Sequence, residues 1–421
     1  MSMSEQALRQ EAIRRRLAGE RRTAICVALN HSASWFDKWW SEYQDNPSTD
    51  FADRSRAPHT SPQQVSEETE RLIVSVRQRL SLTHNTATPY ELIGNRAIIR
   101  NLRGLQHVEI PSGSTVQRVL ARAGLTQPTG AGSASAYYPW LNANAINDVF
   151  ATDLITRYLH SKEEVVHFHT IDHFSHAAFV WPSLNKTTQT VCEYIRKTWA
   201  FLGLPLLHQF DNESAFCGGH THPRVIGQVV RLCLFCGVEP IFTPFYDPKR
   251  NYQIESFHSL WLKAFWLRHE FANLAEVKSE EPKFLRWYLR CYDPPALNGQ
   301  TPAQVRRGVL LQPFDKPHQS AIPPGRLPIT KGFIHFMRKV DPSGSIDVLN
   351  ECWLVHKRLI GCYVCATIDL SKQQLTIWHR LNQDHDWQLI KTRVFQIEEP
   401  IHDLLPIFVQ NRTRCRDYLP G

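Results

Sequence analysis

The sequence predicts a multidomain protein: all-α helix-turn-helix units at the N-terminus, a central α/β core on a mixed five-stranded sheet, and a small β-barrel near the C-terminus. Three observations carry this. Apolar residues recur at helical spacing through residues 5–45 and again through 66–125, broken by short polar turns. From 146 to 275, three β-like runs give way to alternating α and β patterns. Beyond 327, short alternating runs are split by Asp-Pro, Ser-Gly and Asn signals. A chain of 421 residues also exceeds what one hydrophobic core supports, so several domains are expected.

Residues 1–50 read as three short helices, EQALRQEAIRRRLAG, RRTAICVALN and SASWFDKWWSEYQ. Asn30, His31 and Ser32 form the break before the third, and Ser32 or Ser34 is placed to cap it. Such a tight turn between short helices is helix-turn-helix grammar and points to DNA. A linker over 51–65 carries Arg54 and Arg56, expected to touch backbone phosphate. A second helical unit spans 66–125 (SEETERLIVSVRQRL, ELIGNRAIIRNLRG, IPSGSTVQRVLARAGL). Its last helix, with Ser114 or Thr115 as cap, would present Gln117, Arg118 and Arg122 to DNA.

Small residues and Pro over 126–145 mark a second linker. The core at 146–275 is expected to run through strands VFATDLITRYL, EEVVHFHTID and HAAFVWPSL, then helix TTQTVCEYIRKTWAFLG and strand LLHQFD. A helix through VIGQVVRLCLFCG, strand VEPIFT and a helix over 252–269 follow. Three antiparallel strands followed by alternating α and β elements is the order of a ribonuclease-H-like fold. A Pro-rich connection (276–326), the barrel (327–396) and a tail (397–421) complete the chain, and Lys331, Arg338, Lys339, Lys357 and Arg358 would give the barrel a second DNA-contacting surface.

The formal charge is +8 with a pI near 9.0, and it is unevenly spread. Residues 1–60 carry 9 Lys and Arg against 8 Asp and Glu, 61–130 carry 8 against 5, and 146–275 carry 11 against 12. Basic flanks around a neutral centre suit modules that grip a polyanion beside one that keeps carboxylates for metal. The opening MSMSEQALRQEAIRRR has no apolar segment resembling a signal peptide, and no uninterrupted apolar run approaches the roughly 20 residues needed to cross a bilayer. Ten scattered cysteines fit a reducing compartment. The expectation is a cytoplasmic, nucleoid-associated protein of bacterial style with no membrane partner.

Three acids stand where such a core needs them: Asp153 inside one strand, Asp211 ending another, and Glu255 opening a helix after a Pro-rich loop. Carboxylates so placed can hold two divalent ions, Mg2+ or Mn2+, about 3.5–4 Å apart for phosphodiester chemistry. Asp153 is the expected shared ligand, with Asp211 and Glu255 each completing one ion.

This pattern resembles the catalytic core of DDE transposases and retroviral-type integrases, particularly bacterial insertion-sequence transposases with N-terminal helix-turn-helix units. DRSRAPH is similar to the connector between their helical units, and GNRAIIRNL with IPSGSTVQRVLARAGL to the second unit. ATD, QFDNESAF and FTPFYDPKRNYQIESFHSLWLKAF match the order and surroundings of the family's three acids. The resemblance implies metal-dependent cleavage of element ends and attack of the exposed 3′-hydroxyl on target DNA. It implies double-stranded DNA as partner, as terminal repeats and target, and a homo-oligomer of at least two subunits. It assigns metal-ligand roles to Asp153, Asp211 and Glu255, a DNA-contacting or orienting role to Asn212, and a phosphate contact to Lys263, with His258 near the same helical face. Two departures stand out, since Glu213 and Tyr252 occupy places where the family usually has glycine. The 43 residues between Asp211 and Glu255 also exceed the usual spacing, with CGGHTHPRVIG as the insertion.

Cys217, His220 and His222 ahead of Cys233 and Cys236 have finger-like spacing. The last two sit on an apolar helix where thiols pack routinely, so structural zinc is not expected. His167, His169 and His173, beside Asp172, alternate along a strand and read as scaffold. Two other functions compete. A transposase-derived DNA-binding regulator would explain the altered loops at Glu213 and Tyr252; an RNA-directed nuclease is disfavoured by units that recognise duplex DNA.

Overall fold

The structure, a computed structural model, describes residues 4–52, 65–81, 90–105, 110–126, 136–218, 222–245, 247–409 and 418–420, with only the backbone of 248 and 249. The chain divides into two compact units, Met1–Glu67 and Glu68–Gly421.

The first unit holds α1 (Glu5–Leu17), α2 (Arg22–Leu29) and α3 (Ala33–Asp45). The side chains of Ser4 and Ser32 accept from the backbone N–H of Ala7 and Trp35, each satisfying a donor at a helix start. Asn30 ends α2 in the left-handed region at φ 55°, a conformation its short polar side chain tolerates. Ala12, Ile25 and Phe36 form one small core, and Ile13, Trp39 and Phe51 a second. Arg9 stacks over Trp39 at 4.1 Å and donates to the Phe51 carbonyl at 2.9 Å.

The second unit opens with α4 (Glu67–Ser81), α5 (Asn95–Arg103) and α6 (Gly113–Arg122). The cap of α6 is Ser112 rather than Ser114 or Thr115, because the helix starts a turn earlier. Its core then follows: β1 (Val149–Tyr158), β2 (Glu164–Asp172), β3 (Ala178–Ser183), α7 (Thr188–Leu202), β4 (Leu207–Phe210), α8 (Ser214–Cys217), α9 (Gln228–Phe235), β5 (Glu239–Phe242), α10 (Tyr252–Ala264) and α11 (Leu274–Cys291). Beyond lie α12 (Pro302–Val305), α13 (Lys316–Ser320), β6 (Ile329–Thr330), β7 (Phe333–Lys339), β8 (Ser345–Val348), β9 (Glu351–Leu354), β10 (Tyr363–Asp369), β11 (Gln374–His379), β12 (Gln388–Val394) and β13 (Ile401–His402).

Among the described residues the main sheet has nine strands in the order β12-β11-β10-β7-β5-β4-β1-β2-β3. Antiparallel β1, β2 and β3 join parallel β1, β4 and β5, the order expected of a ribonuclease-H-like core. The five expected strands are present, but the sheet does not stop there. β5 pairs in parallel with β7 through Ile241 with His335 and Phe242 with Phe336, and β7, β10, β11 and β12 continue it antiparallel. The strands expected to form a separate barrel extend the core sheet instead, and the described pairings run as an open series ending at β12. The physical reason is the free edge of β5, whose backbone groups need partners. β7 supplies them, with the Phe242 and Phe336 rings stacked at 5.2 Å and His335 Nε2 lying 3.1 Å from Glu239 Oε2.

Both faces of the sheet are covered, so β2 is buried along nearly its whole length and loses the alternation of a one-sided strand. α7 and α9 bury Phe150, Phe168 and Phe210 on one face. α10 and α11 bury Ala151, Val165 and Ile171 on the other. The second helical unit docks on α11: Tyr90 meets Phe284 and Trp287 at 5.7 Å each, and Arg100 bridges Glu91 and Asp293. No helix among the described residues is long and apolar enough to cross a membrane.

Candidate active site

Strand alternation decides where Asp153 points. Phe150 and Thr152 face α7 and α9, with Thr152 Oγ1 2.7 Å from His208 Nε2, which sends Ala151 and Asp153 to the face of α10 and α11. Asp153 is opposite His169 in the β1–β2 ladder. The parallel register sets Thr152 beside Phe210, so Asp211 follows one step past the end of β4, beside Asp153. Glu255 comes from α10, whose Ile254, Phe257, Leu260, Trp261 and Ala264 are buried while Glu255, Ser259 and Lys263 line its exposed side at four-residue intervals.

The turn before α10 is fixed from several sides. Arg250 donates to Asp247 at 2.9 Å and to the Tyr363 hydroxyl at 3.1 Å, and its guanidinium lies 4.8–5.7 Å from the rings of Tyr138, Trp140 and Tyr363. Gln209 at the end of β4 donates to Asn251 at 2.9 Å, which ties the strand carrying Asp211 to the helix carrying Glu255. Tyr252 takes ordinary helical backbone angles, φ −57°, and its ring packs edge-on against Trp140 at 5.0 Å. Glu213 sits at φ −62° before α8 and pairs with Lys186. Neither position has the positive φ that would call for glycine.

Burial raises the Asp153 carboxyl to about 7, and the negative charges of Asp211 and then Glu255 and Glu213 push the same way against the Leu154 N–H, which donates to Oδ1 at 2.8 Å. Its side chain is 20% exposed. Asp211 is raised too, first by burial and then by Glu213, with the Glu213 N–H and Lys186 opposing. A buried carboxylate repelled by three neighbouring acids lacks compensating positive charge, which is the environment a hard divalent cation suits. The nearest imidazole contact recorded for Asp153 is His258 Nδ1, 3.9 Å from Oδ2, and burial lowers His258 to about 4, so it stays neutral. The three acids do not form a tight cluster: among the described residues, the group of His, Cys, Asp or Glu ligand atoms all within 4.8 Å of one another is His167, His169 and Glu281. Shared ligation of two ions needs Asp153 near each of the others, not all three meeting at a point.

Asn212, expected to orient Asp211 or touch DNA, has its amide engaged within the protein, donating to the Thr243 carbonyl at 2.6 Å and accepting from Arg338 at 2.8 Å. Arg338 is buried rather than part of a DNA surface, with further bonds to the Thr243 and Asp347 carbonyls at 2.8 Å each. It thereby couples the C-terminal strands to the loop that carries Asp211. Lys331 pairs with Asp403 at 2.6 Å. Gln117, Arg118 and Arg122 are exposed on α6, Arg122 paired with Glu70 of α4 and Arg118 donating to the Ser114 carbonyl at 3.4 Å. Arg54, Arg56 and His220 lie outside the described residues.

The end of the insertion is anchored to the C-terminal strands by Arg224. Arg224 makes a two-pronged pair with Glu351 of β9 at 2.7 and 2.8 Å and stacks on Trp353 and Phe395. Cys233 and Cys236 are buried in α9 among apolar neighbours, which push both thiols up. Glu281, beside His167 and His169, went unnoticed in the sequence although a signal existed. It interrupts the apolar face of α11 formed by Val277, Phe284, Leu285 and Tyr288.

No protein-family model and no curated protein matches the chain. Solved structures do. The HTLV-2 integrase catalytic core domain in complex with magnesium is 18% identical over 39% of this chain and 99% of its own, with a TM-score of 0.30. A chain from the simian T-cell lymphotropic virus intasome in complex with PP2A regulatory subunit B56 gamma is 12% identical over 73% of this chain and 96% of its own, at 0.34. The catalytic core domain of BIV integrase is 16% identical over 38% and 93%, at 0.28. At such scores the likeness bears no argument, and the site rests on the geometry of this chain alone.

Proposed function

We propose that this chain is a DNA transposase or integrase whose central core cleaves element ends and joins the exposed 3′-hydroxyl to target DNA. The supporting observation is the electrostatic coupling of Asp153 to both Asp211 and Glu255, three carboxylates delivered by β1, the end of β4 and the first turn of α10. Two bound Mg2+ or Mn2+ ions would activate the attacking oxygen, neutralise the phosphate and stabilise the departing 3′ oxygen. Asp153 is the shared ligand, and Asp211 and Glu255 each complete one ion. The Leu154 and Glu213 N–H groups hold the Asp153 and Asp211 carboxylates in place. His258 walls the site beside Asp153 in its neutral form and so adds no competing charge.

Duplex DNA is the substrate, gripped by the helical units through Arg54, Arg56, Gln117, Arg118 and Arg122, with Lys263 meeting phosphate two turns along α10 from Glu255. Asn212 acts by positioning the Asp211 loop. Two DNA ends held together need at least a dimer. The competing reading, a transposase-derived DNA-binding regulator, predicts no metal-dependent joining of pre-nicked DNA. Asp153→Asn, Asp211→Asn and Glu255→Gln are each expected to abolish metal-dependent strand transfer on pre-nicked element ends while DNA binding by mobility shift persists. Strand transfer surviving in all three would overturn the assignment.

A further inference from the structure

Behind Asp153, between β2, α10 and α11, lies a group of buried polar atoms for which the proposed chemistry has no use. His167 and His169 are fully buried and Glu281 is 1% exposed. One ligand atom from each lies within 4.8 Å of the other two. Glu281 Oε1 is occupied, accepting from Trp261 Nε1 at 3.2 Å and meeting His167 Nδ1 at 2.9 Å. The rest of the group is not: His167 Nε2, both nitrogens of His169 and Glu281 Oε2 are buried without a hydrogen-bond partner. Buried polar atoms are ordinarily satisfied, and several unsatisfied ones on three neighbouring buried residues call for a missing partner.

Water alone is a poor answer, because imidazole nitrogens and a carboxylate oxygen present mainly lone pairs. A cation accepts them. We propose that His167, His169 and Glu281 bind a first-row transition ion of the Zn2+ class, separate from the Mg2+ or Mn2+ of the three acids. Two imidazoles and a carboxylate suit Zn2+ and its neighbours, whereas Mg2+ prefers all-oxygen sets and keeps its waters. A tetrahedral ion with bonds of about 2.0–2.2 Å sets its ligands roughly 3.4 Å apart, which small side-chain rotations reach from the spacing present. His258, whose ring centre is 4.9 Å from that of His169 and whose Nε2 is also buried without a partner, stands beside the remaining position. The ion would pin α11 to β2 directly behind Asp153, since His169 is the cross-strand partner of Asp153. It is a structural ion, independent of whether strands are exchanged at the acids.

The test uses the full chain, purified without added metal and dialysed against excess Mg2+. Elemental analysis should find about one equivalent of a transition ion per chain. Chelator-stripped protein should regain thermal stability with Zn2+ or Co2+ and not with Mg2+, and Co2+ should give visible absorption of a low-symmetry nitrogen and oxygen site. His169→Gln and Glu281→Gln should weaken Co2+ binding at least about tenfold. Asp153→Asn and the Cys233→Ala, Cys236→Ala double variant should retain the ion. If the histidine variant misfolds, the stripped wild-type chain still decides through its response to Zn2+, Co2+ and Mg2+. Absence of any retained transition ion together with no Co2+ absorption would overturn the proposal and leave His167 and Glu281 as a buried hydrogen-bonded pair. Loss of the ion in the cysteine variant, or in Asp153→Asn, would equally overturn it.

Discussion

Replacing Asp153 by Asn should stabilise the free protein at alkaline pH while destroying its chemistry. The Asp153 carboxyl is raised from 3.8 to about 7, so between those values the folded state holds a proton that the unfolded state has released. Stability from this group is therefore complete below about pH 4 and declines as pH rises through 7, the sign expected for a raised folded-state value. A shift of that size corresponds to about 4 kcal/mol at about 1.4 kcal/mol per unit, and partial exposure and relaxation bring the expected figure to about 2–4 kcal/mol. Asn is isosteric, keeps an oxygen for the Leu154 N–H and carries no charge to repel Asp211 and Glu255. In magnesium-free buffer at pH 8 the variant should melt roughly 3–6 °C above wild type, with the gap narrowing by pH 5 and closing below about pH 4. Added Mg2+ should raise the wild-type midpoint at pH 8 and leave the variant nearly unmoved. Equal pH dependence of the two proteins, or equal stabilisation by Mg2+, would refute the electrostatic reasoning.

Three further outcomes follow from other parts of the molecule. Arg338→Ala strands the Thr243 and Asp347 carbonyls and the Asn212 amide oxygen, and should cost about 2–4 kcal/mol in urea unfolding; a loss below 1 kcal/mol would show that the burial cost of the guanidinium cancels its bonds. Lys263→Ala should leave stability within about 0.5 kcal/mol and reduce the salt dependence of DNA binding by about one phosphate contact. Tyr252→Gly should destabilise by about 1–2 kcal/mol because it loses the Trp140 contact and loosens a helix start, as read by thermal melting.

Local signals read well where they were strong. Ser32 caps α3 as its position suggested, and the strand that carries Asp153 and the one that ends just before Asp211 lie in the runs VFATDLITRY and LHQF. The β5–β7 pairing was invisible because it joins residues with no local pattern in common, leaving the later strands to read as a domain of their own. Arg338 sits in an alternating run beside exposed Lys339 and looked equally solvated; only the tertiary partners at Asn212, Thr243 and Asp347 distinguish them. The cap of α6 shifted to Ser112 within SGST, where several hydroxyls compete for one role. Glu281 was legible in principle, since an acid on an apolar helical face demands a partner.

The two-pair junction between β5 and β7 also bears on how the chain is made. β5 is complete at Phe242, yet the strand that covers its edge emerges only after roughly 90 more residues. At a synthesis rate of about 5–20 residues per second, the nascent core waits about 5–20 s with an unpaired hydrophobic border. A second nascent chain from the same message could add its own strand there, so ribosome spacing and chaperone supply would govern the yield of correctly joined molecules.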